Sequence, residues 1–160
     1  VKFICDRGIL AEFTRHRKFS FMAESTRYCN YSKDRFGNEL TFIIPSWCSN
    51  RDEAHIVLDK YDVDWNDELI EDFGNEQGRL YIGLALAENA YLALLKIGWT
   101  PQQARAVLPN SLKTELVMTG FVSDWKHFFE LRCDSAAHPQ ARELAIPLKE
   151  EFIKKGYITE

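Results

Sequence analysis

Long uninterrupted apolar stretches are absent from this sequence. A membrane-spanning helix needs roughly 18 consecutive apolar residues, and no run approaches that length. The most apolar segment, Leu80 to Ile97, is interrupted by Glu88, Asn89 and Lys96. We therefore expect a soluble protein that has no membrane partner.

Cysteine is also scarce, with four residues in a chain of 160. The four thiols lie far apart and form neither a C-x-x-C pair nor a small disulfide framework: Cys5, Cys29, Cys48 and Cys133. No second His or Cys stands at metal-ligand spacing from His55 or His138, so we expect no metal site. Scattered thiols are typical of a reducing compartment, and the protein is expected to be cytoplasmic.

Positive charge is in short supply overall. The chain has 20 basic and 24 acidic residues and a net charge of −4, which argues against a general nucleic-acid coat. The charge is uneven, because residues 1–35 hold eight basic and four acidic side chains while residues 36–100 hold four and twelve. The acidic middle is best interpreted as a solvated face, and the basic beginning is the segment of interest.

What the sequence does contain is enough apolar material for a folded core. It is 46% hydrophobic and 13% aromatic, and its length favours a single domain. The chain starts without Met or a signal-peptide pattern, and Val1 to Cys5 already alternates like a strand. We therefore expect that a segment upstream of Val1 is missing.

Hydrophobic spacing and turn residues predict several helices and few strands. Strands are expected at the start, over Leu40 to Ile44 and over Leu112 to Thr119. Helices are expected over Ile9 to about His16, Arg79 to Ile97, Pro101 to about Leu108, Ser123 to Arg132, and Pro139 toward Lys155. In the last two, Ser123 and His138 would be the caps. The expected fold is α+β, an antiparallel sheet packed against several helices.

The basic segment has the composition of an anion-binding site. Between Arg15 and Tyr28 the sequence reads R-H-R-K-F-S-F-M-A-E-S-T-R-Y. Guanidinium groups bind phosphate oxygens in pairs, and hydroxyls or backbone N–H groups of a turn fill the remaining positions. The ligand that these residue types imply is a phosphate ester. The alternative is that the arginines are solvated or paired with the local carboxylates Glu12 and Glu24, which is more common for arginines in loops.

The spacing within this segment resembles a family signature, R-H-R-x-x-S followed after four residues by S-x-R. The matching positions are Arg15, His16, Arg17, Ser20, Ser25 and Arg27. Two later stretches, A-R-A-V-L-P from Ala104 and F-F-E-L-R-C-D-S-A-A-H-P-Q from Phe128, continue the likeness. The chain is thereby similar to the flavin-dependent thymidylate synthases over most of residues 1–160. It lacks that family's upstream segment with its H-x-T-P-x-E-H motif.

The resemblance implies which residues bind the substrate and the cofactor. Deoxyuridine monophosphate (dUMP) would be bound by Glu12, Arg15, Ala23, Glu24, Ser25, Thr26, Arg27, Arg105 and Arg132. FAD would be bound by Arg15, His16, Arg17, Ala23, Phe121, Val122, Ser123 and His127. A carboxylate at Glu12 beside a phosphate needs a neutralising arginine, for which Arg15 and Arg27 are the candidates.

The implied reaction is the reductive methylation of dUMP to dTMP with methylenetetrahydrofolate and NADPH as co-substrates. Arg132 matches the arginine that contacts the uracil ring, where a guanidinium stabilises the N3 anion and makes C5 nucleophilic. Ser25 has no evident partner base in the sequence, so a hydrogen-bonding role is favoured over a nucleophilic one. Family members form homotetramers whose active sites are shared between subunits, and the same is expected here.

Two other classes of function remain open from the sequence. One is a nucleotide- or flavin-binding homologue or fragment without turnover, which the missing upstream segment favours. The other is a single-stranded RNA binder that uses Phe19, Phe21 and Tyr28 in the basic segment, against which the acidic remainder argues.

Overall fold

The computed structural model describes residues 1–27, 29–31, 40–48 and 76–159, without the side chains of residues 76–78. These residues form three strands: β1 (Lys2–Asp6), β2 (Ser20–Ala23) and β3 (Lys113–Thr119). They also form five helices: α1 (Arg7–Phe13), α2 (Glu76–Lys96), α3 (Pro101–Ala104), α4 (Val122–Arg132) and α5 (Pro139–Lys154). A 3-10 turn over Arg105–Val107 follows α3. The architecture is α+β, as predicted.

The three strands form one antiparallel sheet in the order β1-β3-β2. Phe3 of β1 lies opposite Leu116 of β3, and Ala23 of β2 pairs with the same Leu116. Along β3 the side chains alternate, with Thr114, Leu116 and Met118 buried. Because neighbouring side chains of a strand point to opposite faces, one face of the sheet is buried by this pattern.

The chain divides into two compact units. The first comprises Val1–Glu24, Ile43–Trp47 and Lys113–Glu160. Its core is largely aromatic, with Phe13, Trp125 and Phe128 buried together with Ala141 and Ala145 of α5. The Phe13 and Phe128 rings meet edge to face with centroids 5.0 Å apart, an arrangement that aromatic pairs favour. The expectation of a single domain stays a prediction.

The second unit comprises Ser25–Phe42 and Cys48–Leu112. Its core forms where Leu84 and Tyr91 of α2 are buried, and Tyr91 packs against Tyr31 with ring centroids 5.9 Å apart. The helical spacing of apolar residues in this stretch correctly predicted the helix. Ala104 and Leu112 complete the buried set.

Several element boundaries agree with the predictions from the sequence, and two expectations were wrong. Leu40 to Ile44 makes only the isolated bridge Phe42↔Leu112, because the Leu40 N–H donates to Glu88 Oε1 at 2.7 Å instead of to a strand. Helix α4 is capped by Phe121, whose carbonyl accepts from the N–H of Asp124 and of Trp125, and not by Ser123.

Helix α5 begins and ends where proline and glycine predicted. His138 is its N-cap and accepts from the Gln140 N–H, Pro139 is its first residue, and Gly156 follows the C-cap with φ 71°. Residues 49–75, which hold most of the acidic middle and include His55, lie outside the described residues, as does Tyr28. Within the described ranges, no helix has the length and apolar character needed to cross a membrane.

Candidate functional site

Arg132, the last residue of α4, donates three hydrogen bonds to residues of α1 and the turn that follows it. Its Nη1 donates to Glu12 Oε2 at 2.6 Å, its Nη2 to the Glu12 carbonyl at 2.8 Å, and its Nε to His16 Nε2 at 2.9 Å. The two chain segments are more than a hundred residues apart in sequence. The first unit therefore brings together three residues that the sequence assigned to one active site.

This cluster is only partly open to solvent. The side chain of Arg132 is 17% exposed and that of Glu12 is 36% exposed. The Arg132 guanidinium carbon lies 5.9 Å from the centroid of the buried Phe13 ring. A carboxylate–guanidinium pair in such partly shielded surroundings is screened less by water and salt than one on the open surface.

The partner of Glu12 differs from the sequence expectation. Arg15 and Arg27 were the candidates for neutralising this carboxylate, and in the structure Arg132 does so. Arg15 lies in the turn that follows α1, where its N–H donates to the Glu12 carbonyl at 3.2 Å and its side chain is exposed. Because the turn carries the Arg15 side chain into solvent, Glu12 meets the guanidinium that α4 presents.

His16 Nε2 accepts a hydrogen bond from Arg132 Nε, so this nitrogen carries no proton. Its ring packs against Phe128 with centroids 5.0 Å apart. Burial, and then the nearby charges of Arg132 and His127, lower the pKa of His16 to about 4. A neutral imidazole whose Nε2 accepts from Arg132 carries its proton on Nδ1.

The other residues assigned to FAD in the first unit are exposed. Phe121 is 81% exposed at the start of α4, and Val122, Ser123 and Arg17 are exposed as well. His127 is an exposed side chain whose Nδ1 lies 3.2 Å from Glu130 Oε2, so the apolar neighbours in its sequence did not make it a core histidine. His127 lies near the Arg132 cluster, since its charge contributes to the lowered pKa of His16.

Ala23 is the last residue of strand β2, and Glu24 follows it. Ala23 is exposed, and the Glu24 N–H donates to the Glu115 carbonyl of β3 at 3.0 Å. The Glu24 carboxylate lies 3.6 Å from Lys113 Nζ. Glu24 is thereby tied to the sheet, and Lys113 compensates its charge.

The second unit holds the hydroxyl and arginine part of the predicted phosphate site. Ser25 and Thr26 open a tight turn in which the Cys29 N–H donates to the Ser25 carbonyl at 3.1 Å and Ser25 Oγ accepts from the Arg27 N–H at 3.4 Å. Arg105 Nη1 lies 3.4 Å from Thr26 Oγ1, and Thr26 is buried. The turn and the 3-10 segment are thus adjacent, as a shared anion site requires.

Gln102 is a member of this group that the sequence did not single out. Its Oε1 accepts from Arg27 Nε at 3.2 Å and so orients an exposed guanidinium. The sequence signal that could have identified Gln102 is its position directly after Thr100 and Pro101. These two residues predict the start of a helix, which places Gln102 near Arg105.

The Phe19 ring is not available for base stacking. It is buried, with its centroid 4.8 Å from that of Trp125. This burial removes one of the three aromatic residues on which an RNA-binding interpretation depends. Among the residues that the structure describes, no group of three or more His, Cys, Asp or Glu side chains is arranged to hold a metal ion.

The fold is α+β, and it carries two arginine-containing side-chain clusters, one around Arg132 and one around Arg27 and Arg105. A family model described as "Thymidylate synthase complementing protein" matches residues 1–155, and the chain belongs to this family.

Two curated relatives are similar to the chain in sequence. The probable flavin-dependent thymidylate synthase of Paramecium bursaria Chlorella virus 1 is 31% identical over 149 residues, covering 93% of this chain and 63% of the relative. The flavin-dependent thymidylate synthase of Synechocystis is 29% identical over 154 residues, covering 92% of this chain and 62% of the relative. The chain thus spans somewhat less than two thirds of the length of these relatives.

A solved structure shares the fold. The flavin-dependent thymidylate synthase of Helicobacter pylori, crystallised with FAD and dUMP, superposes with a TM-score of 0.63 at 19% identity. The superposition covers 98% of this chain and 68% of the other. At this identity the likeness establishes the fold.

Proposed function

We propose that this chain is the greater part of a flavin-dependent thymidylate synthase, which converts dUMP to dTMP by reductive methylation. The observation that carries the proposal is the anchored Arg132, held by three hydrogen bonds at the position that the resemblance assigns to ring activation. The family membership of residues 1–155 supports the same reaction.

Nucleotide binding is assigned to the turn and the arginines of the second unit. Arg27 and Arg105 supply two positive charges, and Ser25 and Thr26 supply hydroxyl and backbone groups for phosphate oxygens. Gln102 orients Arg27. In the first unit, Glu12, Arg15, Ala23 and Glu24 are proposed to lie beside the same nucleotide, in sites that are shared between subunits of a homotetramer.

Ring activation is assigned to Arg132. A guanidinium carries five N–H donors, and the bonds to Glu12 and His16 use three of them. One N–H on each terminal nitrogen is left to contact N3 of the uracil and a neighbouring carbonyl. Hydrogen bonds from these two N–H donors stabilise the ring as its N3 anion and move electron density toward C5, so no enzyme nucleophile is required.

The residues assigned to FAD fit such a group. The first N–H groups of a helix have no acceptor within it, and α4 presents those of Val122 and Ser123 next to the exposed Phe121 ring. The exposed guanidinium groups of Arg15 and Arg17 add positive charge suited to a diphosphate. When bound, FAD supplies hydride transfer.

NADPH and 5,10-methylenetetrahydrofolate are the proposed co-substrates, and the cytoplasm is the proposed location. The wide spacing of the four cysteines along the sequence supports a reducing compartment. The co-substrates follow from the resemblance and are tested below by omission.

The test is tritium release from dUMP labelled at C5. We expect flavin absorbance in the purified protein and tritium release that requires NADPH and methylenetetrahydrofolate. Arg132→Ala should abolish release while dUMP is still bound. Flavin or dUMP binding without any release from the unsubstituted protein would instead identify a binding homologue or fragment without turnover.

A further inference from the structure

We propose that Glu12 and His16 are positioning residues that act through Arg132, fixing the direction of its two remaining N–H donors. The inference rests on the proposed function. It assigns Glu12 and His16 to the guanidinium of Arg132, whereas the sequence resemblance assigned Glu12 to the nucleotide and His16 to the flavin.

The geometry of the guanidinium carries the first step. All three nitrogens of Arg132 are bonded, at 2.6, 2.8 and 2.9 Å, and two of the three acceptors belong to Glu12. A planar group that is held at all three nitrogens cannot rotate about its own axis. The contacts therefore set both the plane and the rotation of Arg132 before any ligand arrives.

The surroundings of Glu12 carry the second step. Its carboxylate is bonded to Arg132, and its side chain is 36% exposed. A free carboxylate would repel an anionic nucleotide, but one that is paired with a guanidinium presents little net charge. Glu12 can therefore hold Arg132 without opposing the binding of a nucleoside monophosphate.

His16 completes the arrangement because it can accept only when it is neutral. Among the residues that the structure describes, Arg132 and His127 of α4 are the charged or titratable groups that act on its ring, and Glu12 of α1 is bonded to the same guanidinium. The ring packs on Phe128 at 5.0 Å and meets Phe19 at 6.2 Å between centroids. Apolar packing thus fixes the acceptor nitrogen at one place, and protonation there would set two cations against each other.

A double-mutant cycle tests the proposal on the turnover number. Glu12→Ala should lower kcat by about tenfold or more while the Kd for dUMP changes by less than about threefold. The substitution is expected to impair the activation of the uracil ring after dUMP has bound, and not the binding itself. In an Arg132→Lys background the same substitution should change kcat by less than about twofold. An equal loss in both backgrounds would overturn the proposal, since Glu12 would then act independently of Arg132.

Conservative and control variants separate positioning from folding. Glu12→Gln keeps an acceptor oxygen on a side chain of the same length, so its kcat should be higher than that of Glu12→Ala. For the same reason, kcat should be higher in His16→Gln than in His16→Ala. Glu151→Ala removes an exposed carboxylate whose oxygen lies 3.7 Å from Lys154 and should leave kcat unchanged. Failure of both glutamine variants to exceed their alanine counterparts would contradict the assignment.

A readout without turnover keeps this test separate from that of the proposed function. In ¹⁵N NMR spectra at pH 7, His16 should carry its proton on Nδ1, and the Arg132 Nε–H should exchange at least about tenfold faster in Glu12→Ala than in the unsubstituted protein. A proton on Nε2, or unchanged exchange, would overturn the inference even if thymidylate is formed. If the expected spectra are observed but no thymidylate is formed, the positioning role of Glu12 and His16 stands and the proposed enzymatic function is rejected.

Discussion

Gln140 Nε2 donates a hydrogen bond to Asp6 Oδ2 at 2.9 Å, and both side chains are buried. The other carboxylate oxygen of Asp6 accepts from the Ile9 N–H at 2.7 Å as the cap of α1. One aspartate thereby joins the end of β1, the start of α1 and the start of α5. Asp6 therefore links α1, which carries Glu12 and leads into the turn with His16, to α5, the helix that follows Arg132 in the chain.

Asp6→Ala should destabilise the protein by about 2 to 4 kcal/mol. The substitution removes a helix cap, worth about 1 kcal/mol, and leaves the buried Gln140 amide unsatisfied, which costs about 1 to 3 kcal/mol. Urea unfolding followed by circular dichroism measures the change. Asp134→Ala is the matched control, because Asp134 Oδ1 also accepts a backbone N–H, that of Ala136 at 2.8 Å, but is exposed. A comparable loss in both variants would show that burial of the Asp6–Gln140 pair is unimportant.

Gly120→Ala should destabilise the first unit by about 1 to 3 kcal/mol. A Cβ at this position would lie 2.6 Å from Phe19 Cδ1 and 2.7 Å from Cε1. The Phe19 ring has little room to yield, since it packs on Trp125 with centroids 4.8 Å apart. Gly83→Ala is the control: nothing lies within 4 Å of its Cβ, and in helix α2 it should stabilise by about 0.5 to 1 kcal/mol. Thermal unfolding of both variants checks the opposite signs.

Acidification should destabilise the folded protein through His16. The pKa of this residue is about 4 when folded and 6.5 when unfolded. Above pH 6.5, His16 is neutral in both the folded and the unfolded state. As the pH falls from 6.5 toward 4, His16 is protonated in the unfolded state but not in the folded state, so the free energy of unfolding decreases. His16→Gln should reduce the loss of urea stability between pH 7 and 5. An NMR titration in which His16 protonates near pH 6.5 would refute this.

Arg105→Ala and Arg27→Ala should each weaken dUMP binding by between about tenfold and about 150-fold. These factors correspond to the loss of about 1.5 to 3 kcal/mol for a hydrogen bond to a charged group. Isothermal titration calorimetry with dUMP measures the change, and deoxyuridine should show a much smaller one because it lacks the phosphate. Arg79→Ala, an exposed arginine of α2, is the control and should leave Kd unchanged. Unaltered affinity in both test variants would remove these arginines from the phosphate site.

Local signals in the sequence predicted most elements of the fold. The structure reproduces helix boundaries that three residues predicted: Pro101, Pro139 and Gly156. The predictions failed where a partner decides the outcome. Leu40 to Ile44 has the composition of a strand, but its first N–H bonds a glutamate side chain of α2, and composition does not report that partner.

The candidate site shows the same division. Motif spacing was sufficient to single out Arg15, His16, Arg27, Arg105 and Arg132. It did not show that Glu12 and Arg132 are bonded to each other, because they are 120 residues apart and nothing in the order of residues specifies the pair. Gln102 was missed for the same reason, since its contact with Arg27 spans 75 residues.

By itself the sequence determined the family, the α+β composition and the inventory of charged groups, because these depend on residue types and short spacings. Only the tertiary structure decided which groups meet: Arg132 with Glu12 and His16, and Arg105 with Thr26. Hydrogen bonds between side chains form within about 3 Å. Whether two distant residues come that close is settled by how the helices and strands pack, and not by either residue alone.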